Sequence, residues 1–359
     1  MEWYQAVIVF AVAFAVAYCM VPVSKKIAFR IGAIDYPGYR RMNREPIPRC
    51  GGIALYVGLI AACFTMFLGV RFFDWDLHDL YILSDVNYIV LFVGVTTMFT
   101  VGLVDDITQL SPGVKLAGQI VAATVVTLSG ITIGAVRTLV VGDYLSLGWI
   151  DYPLTVLYLV VFVNITNLID GLDGLASGLV AIVAGGLLYL VLMRGSFTLV
   201  LVCLALIAVC LAFLRYNFFP ASVGDSGSLL LGLVVGIVSV VGVVRTQSFV
   251  VMLVPLIIAG VPVLDTVSAI VRRKRLHQPV KDADLGHIHH RLMRAGLSQK
   301  RSVAVLWLCV CEATWPRLSP VTSAPARSRR AISSATLNMR RRYMMTRSSG
   351  GTVRAISRW

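Results

Sequence analysis

Nine stretches, each close to the ~20 apolar residues a helix needs to cross hydrocarbon, carry no charge through their middles. They are Tyr4–Val23, Gly51–Val70, Val86–Val104, Gly113–Gly130, Tyr152–Ile169, Gly174–Met193, Phe197–Leu214, Gly227–Val244 and Phe249–Val271. A tenth begins near Ser302 and breaks off around Cys311. Lipid offers the backbone no hydrogen-bond partner, so segments of this kind cross as helices. The chain is therefore read as an all-α polytopic integral membrane protein with about ten transmembrane helices.

Composition agrees: 14% of residues are charged and 58% hydrophobic, against about 25% charged in a soluble domain. The net charge of +14 is misleading, because Glu312–Trp359 holds ten Arg and one acid. Without that stretch the balance is 22 bases to 17 acids, so the basicity belongs to a tail and not to a nucleic-acid surface. The seven cysteines have no metal-ligand spacing and receive no role.

Basic loop residues mark the cytoplasmic side of a membrane protein. Lys25, Lys26, Arg30, Arg40, Arg41, Arg44 and Arg49 follow the first span, and Arg272 to Arg301 follow the ninth with nine bases. Both loops fall on the same side by parity, which places the N-terminus outside. The outer segment Ile131–Ile150 reads as a short hairpin around Gly142-Asp143.

The unusual polar residues all land on the cytoplasmic side. Asp105 and Asp106 leave span 3; Asn164, Asn167, Asp170 and Asp173 leave span 5; Asn217, Asp225 and Ser226 join spans 7 and 8; His287, His289, His290 and Arg291 follow span 9. Ionisable groups at the ends of apolar helices are functional by default. Adjacent carboxylates at a helix C-terminus oppose its dipole and call for a cation, and Mg²⁺ takes one or two carboxylates plus phosphate oxygens. Asn164, Asn167 and Asp170, spaced by three, share a helical face. Gly224–Ser228 opens span 8, either as a phosphate seat of backbone N–H groups or as a helix capped by Asp225 or Ser226. The His-rich run suits phosphate better than zinc, since no Cys supports it. Lys115, just inside span 4, requires an acidic or phosphate partner.

Taken together, Gly102–Asp106, Asn164–Ala176, Gly224–Ser228 and Gly286–His290 resemble the polyprenyl-phosphate N-acetylhexosamine-1-phosphate transferase family, over about residues 1–310. Pro46–Gly52 and the His-x-His-His form are similar to its bacterial undecaprenyl-phosphate GlcNAc-1-phosphate branch. The resemblance implies that undecaprenyl phosphate attacks the β-phosphorus of UDP-N-acetylglucosamine, giving undecaprenyl-diphospho-GlcNAc and UMP in cell-envelope polysaccharide synthesis. It implies Mg²⁺, or Mn²⁺ in its place, held by Asp225 with Asp106 and Asn167. Asp105, Asp106, Lys115, Asp170, His289 and His290 would be catalytic. Arg44, Asn164, Asn167, Asp173, Asn217, His287 and Arg291 would bind substrate. The implied setting is the bacterial cytoplasmic membrane with the site facing the cytoplasm; the partners are the two substrates and the bilayer, with a homodimer left open.

The expected domain spans 1–311, with cytoplasmic loops at 24–50, 105–112, 167–173, 215–226 and 272–301. Residues 312–359 read as an Arg-rich disordered tail, of out-of-frame character. The run Asn217–Asp225 is two residues shorter than the family pattern, Asn43 stands where many members carry His, and Leu285 where members carry a base. Transfer of phospho-MurNAc-pentapeptide or another N-acetylhexosamine 1-phosphate, a membrane transporter, and an inactive truncated relative are the alternatives.

Overall fold

Apolar segments too long for strands leave helix as their conformation, and helices dominate the described residues, α1 continuing past an internal proline at Pro22. The computed structural model describes residues 2–35, 46–49, 51–75, 86–137, 144–217, 222–242 and 298–318. The described helices are α1 (Trp3–Ile31), α2 (Gly51–Phe72), α3 (Tyr88–Thr108), α4 (Pro112–Leu128), α5 (Asp151–Ile169), α6 (Leu175–Arg194), α7 (Phe197–Asn217), α8 (Gly224–Gly242) and α9 (Gln299–Leu318). Among the described residues, seven helical segments are long and apolar enough to cross a membrane, and α4 is a shorter apolar helix. The expected ninth span, Phe249–Val271, lies outside the described residues.

Helix ends overrun the apolar blocks. α1 continues through Lys25, Lys26 and Arg30 until Gly32 adopts a left-handed conformation (φ 75°) and stops it. α3 runs on to Thr108, so Asp105 and Asp106 sit in its last turn and not in a loop. α8 starts at Gly224, three residues before its expected first residue, and α9 continues past Cys311 to Leu318. Hydropathy marks where lipid ends, whereas a helix ends only where its backbone is capped or broken. Outside the helices, β1 (Ile34–Asp35) pairs antiparallel with β2 (Ile47–Pro48). In the segment expected to form a hairpin, β3 (Ala135–Arg137) pairs antiparallel with β4 (Tyr144–Ser146), while the expected turn at Gly142-Asp143 lies outside the described residues.

α8 is the centre of the bundle. The best apolar window of α8 is 83% buried, against 22% for α1, and α8 packs on α2, α3, α5, α6 and α7. Its sequence is apolar or small on every face, the pattern of a helix surrounded by others. The outer helices turn Phe64, Phe67, Ile89 and Leu157 outward, as a lipid-facing surface requires.

Small residues set how closely the α8 N-terminus is held. A Cβ on Gly102 of α3 would lie 2.6 Å from both the Asp225 carbonyl oxygen and Ser226 Cα. Gly224 has φ 71° and abuts the Arg49 carbonyl. Backbone bonds complete the junction: Gly51 N–H donates to Ser222 (3.2 Å), Gly52 N–H to Val223 (3.0 Å) and Ser222 N–H to Pro48 (3.2 Å). Backbone cannot yield as a flexible side chain does, so overpacking here is destabilising by about 1–3 kcal/mol or more. Gly102→Val is expected to lower the apparent Tm of the detergent-solubilised protein and to abolish activity. A wild-type melting curve would refute the close-approach argument.

Candidate active site

The junction of α3, α4, α5 and α8 gathers the polar residues at one end of the bundle. Asp105 and Asp106 are neighbours on α3 with different duties, because successive helical side chains diverge by about 100°. Asp106 is 3% exposed and faces α8. Its two oxygens accept the backbone N–H of Asp225 (2.8 Å) and of Ser226 (2.9 Å). A carboxylate thus caps a helix N-terminus from a different helix, adding dipole attraction to two charge-assisted bonds. The first turn of α8 was expected to be either a phosphate seat or self-capped; Asp106 is the cap. Asp106 thus anchors α8, with both of the oxygens anticipated for a metal engaged by backbone N–H groups.

Asp105 points the other way. Its Oδ1 accepts the Leu110 backbone N–H at 2.7 Å, and its Oδ2 lies 2.8 Å from Lys115 Nζ. Lys115 reaches this position from the first turn of α4, which Pro112 opens. Its ammonium also donates to Asn167 Oδ1 at 3.0 Å and to Asp225 Oδ1. Asn167, on α5, donates its amide to that same Asp225 oxygen and to Ser228 Oγ at 2.9 Å. Four helices therefore place three oxygens around one cation.

One turn deeper, Asn164 donates to Gln119 Oε1 at 2.7 Å and to the Val160 carbonyl at 2.8 Å. Lys115 with Asn167 and Gln119 with Asn164 form two polar rungs between α4 and α5. The outer rung holds the charged groups; the inner one is amide-only. Gln119, 1% exposed, was not foreseen. Its signal was present in its i+4 spacing from Lys115. Ser228 and the Arg49–Asp35 ion pair (3.0 Å) were likewise not singled out as site residues.

The 170–174 turn borders this cluster. Asn217, at the C-terminus of α7, accepts the Gly174 N–H at 2.9 Å and the Ser177 hydroxyl at 3.1 Å. At 2% exposure it fixes the turn and the start of α6, a positioning duty beside the substrate contact anticipated for it. Asp173 accepts Gln299 Nε2 of α9 at 3.1 Å; burial raises its carboxyl above the usual range, partly opposed by that bond. Asp170 is half-buried. Burial, with the charges of Asp225, Asp106 and Asp173, pushes its carboxyl well above the usual carboxylate range, against the pull of Arg49. Arg44, His287, His289, His290 and Arg291 lie outside the described residues.

A groove of about 460 Å³ starts beside the cluster and runs between α3 and α4. Val104, Leu110 and Val114 line its mouth and Phe92, Val93 and Gly118 its depth. The hydroxyls of Thr96, Thr97 and Thr100 along it donate to carbonyls of their own helix. Its wall is therefore effectively apolar.

Known proteins carry the same arrangement of sequence. Glycosyl transferase family 4 matches residues 88–243, from α3 through α8. A probable undecaprenyl-phosphate N-acetylglucosaminyl 1-phosphate transferase of Bacillus subtilis is 36% identical over 306 residues, 85% of this chain and 82% of that protein. A decaprenyl-phosphate N-acetylglucosaminephosphotransferase of Mycobacterium tuberculosis is 32% identical over 321 residues, 80% of this chain and 75% of its own length. The undecaprenyl-phosphate alpha-N-acetylglucosaminyl 1-phosphate transferase of Escherichia coli is 26% identical over 292 residues, 79% of this chain and 76% of its own. With its polar cluster set at the end of an apolar bundle, the chain belongs to the glycosyl transferase family 4 membrane enzymes, the polyprenyl-phosphate N-acetylhexosamine-1-phosphate transferases.

Proposed function

We propose that this enzyme transfers N-acetylglucosamine 1-phosphate from UDP-N-acetylglucosamine to undecaprenyl phosphate at the cytoplasmic face of a bacterial membrane, with Mg²⁺. The observation that carries the reading is the convergence of Asp105, Asn167 and Asp225 oxygens on one cation beside an apolar groove. Water-soluble donor and lipid-soluble acceptor need such a meeting point. In the reaction an acceptor phosphate oxygen bonds to the donor's β-phosphorus. The bond from that phosphorus to the bridging oxygen breaks, and UMP leaves with the bridging oxygen. Catalysis of this kind is mostly positioning and charge neutralisation.

The donor set fits a divalent cation. Among the described residues no three His, Cys, Asp or Glu side chains group as a metal site, yet Mg²⁺ asks for only one or two carboxylates and fills its shell with phosphate oxygens and water. Asp225 and Asn167 would hold it, with Asp105 adjacent. Bound there, the cation supplies neutralisation of the diphosphate. Asp105 orients the acceptor phosphate, and Lys115 balances the charge. The acceptor's isoprenoid tail occupies the α3–α4 groove, whose mouth residue Leu110 bonds Asp105. Orientation follows from α1: its C-terminal end carries Lys25, Lys26 and Arg30, and Ala33 just beyond accepts the Arg49 N–H at 3.0 Å. The cluster thus shares the basic end of the bundle, which supports a cytoplasmic orientation through the positive-inside rule.

UMP release from UDP-N-acetylglucosamine with undecaprenyl phosphate and Mg²⁺, using purified full-length protein, tests the reading. Release only with UDP-MurNAc-pentapeptide would move the enzyme to the peptidoglycan branch, and no release from folded protein would remove the activity. Asp225→Asn is expected to reduce turnover by at least ~100-fold, in the range seen when one preorganised electrostatic contact is lost. Val114→Trp, at a groove position 57% exposed, is expected to raise the KM for undecaprenyl phosphate about tenfold, or ~1.4 kcal/mol, leaving the donor KM unchanged. Asp170 supplies a pH-dependent check. Its folded carboxyl titrates above the unfolded value, so its contribution to stability is fully present below about pH 4 and lost as pH rises through the folded pKa. Asp170→Asn is therefore expected to melt at higher temperature than wild type at pH 7, the difference closing below about pH 4; equal melting at pH 7 would count against the raised pKa.

A further inference from the structure

We propose that Lys115 is a gate on the cation seat: its ammonium and a divalent cation are alternative occupants of the same oxygens, and the entry of one displaces the other. This rests on the metal-dependent reading above and adds a role for a residue of this chain that the reaction scheme leaves as mere charge balance.

The argument begins with valence. An ammonium has three N–H donors, and Lys115 directs three contacts to Asp105 Oδ2, Asn167 Oδ1 and Asp225 Oδ1. Its donor capacity is used up on the oxygens that a metal would draw on. A magnesium ion requires oxygens at about 2.0–2.1 Å in near-octahedral array. Asp225 Oδ1 already accepts from both Lys115 and Asn167. Two cations on the same oxygens repel strongly in a site shielded from water, and Lys115 stands at a fraction of full exposure, 17% for its side chain.

The side chain has little choice of refuge. Of the neighbouring carboxylates outside the seat, Asp106 is committed to the α8 backbone, and burial holds Asp170 toward its neutral form. A displaced ammonium can keep its Asp105 contact while turning to an incoming anion. The diphosphate of the donor offers that anion at the moment the cation arrives. Metal and nucleotide-sugar binding are thereby coupled through Lys115: each relieves a penalty that the other would meet alone, and linkage makes the effect reciprocal. An empty-handed metal meets a seat already neutralised, so the free enzyme holds it weakly.

Two measurements on the full-length protein decide this. In the first, Mn²⁺ alone is titrated against wild type and Lys115→Met by electron paramagnetic resonance, without nucleotide or lipid. The expected result is at least about tenfold tighter binding by Lys115→Met, which keeps the chain length and removes the competing charge. Equal or weaker binding by the variant overturns the gate while leaving a metal site in place; no Mn²⁺ binding by either protein overturns both the gate and the metal-dependent reading. The second uses wild type only, so it stands even where the variant does not fold. Acetylation of Lys115 by acetic anhydride, read by mass spectrometry of its peptide, is expected to rise several-fold when Mn²⁺ is added, because the released amine loses its Asn167 and Asp225 partners. An unchanged or reduced acetylation rate in a protein that binds Mn²⁺ overturns the gate.

Discussion

The capping of α8 by Asp106 is the contact on which the rest of the site depends. It joins the last turn of α3 to the first turn of the helix at the centre of the bundle. Helix ends bring unsatisfied N–H groups wherever they go, and near a bilayer such groups are expensive. A buried carboxylate is expensive too. Each resolves the other's problem, and the solution fixes where Asp225, the next residue along, must be. Gly102 and Gly224 allow the approach, and backbone bonds of Pro48 in β2 and of Gly51 and Gly52 at the start of α2 close it from the α2 side. The charged rung then assembles on a rigid floor: Asp105 from α3, Lys115 from α4, Asn167 from α5 and Asp225 from α8.

Much of this was legible in residue types and parity. Apolar block lengths yield the helices, and counting crossings puts Asp105, Asn167, Asp170 and Asp225 at one end before any contact is known. What the pattern could not supply was the assignment of duties. Asp105 and Asp106 are chemically identical neighbours, and only the direction each takes from the helix sends one to Lys115 and the other to the α8 backbone. Asn217 is an amide near a glycine-rich turn, as a ligand-binding residue would be, yet its oxygen is spent holding Gly174 and Ser177. Gln119 went unnoticed because its i+4 spacing from Lys115 gains meaning only once its partner on the neighbouring helix is known. Helix boundaries slipped for a related reason: charge ends an apolar block, but it does not end a helix, and the chemistry of this protein lies in the turns between those two limits.

The two polar rungs also bear on how the site survives in its surroundings. Asn164 donates its amide to Gln119 below the charged rung, while the buried Gln119 amide nitrogen has no hydrogen-bond partner among the described residues, so this layer is held by a single side-chain bond and keeps one unused donor. Beneath it the packing is apolar, with Tyr158 and Ser239 as a further buried polar pair, bonded at 2.7 Å. Polarity thus falls off stepwise from ion pair to amide pair to hydroxyl pair, away from the end where the substrates meet.

The placement of the groove has a consequence for selectivity. Its walls, α3 and α4, are the same two helices that carry Asp105 and Lys115. Any shift of one helix along the other would alter headgroup seat and tail channel together. An amphiphile whose anionic head is joined at the right length to a branched hydrocarbon would engage both at once, whereas a head alone or a chain alone would forgo half the hold. With the acceptor seated as proposed, the lipid would be measured as by a single ruler, from charge to tail, set by the stagger of two helices.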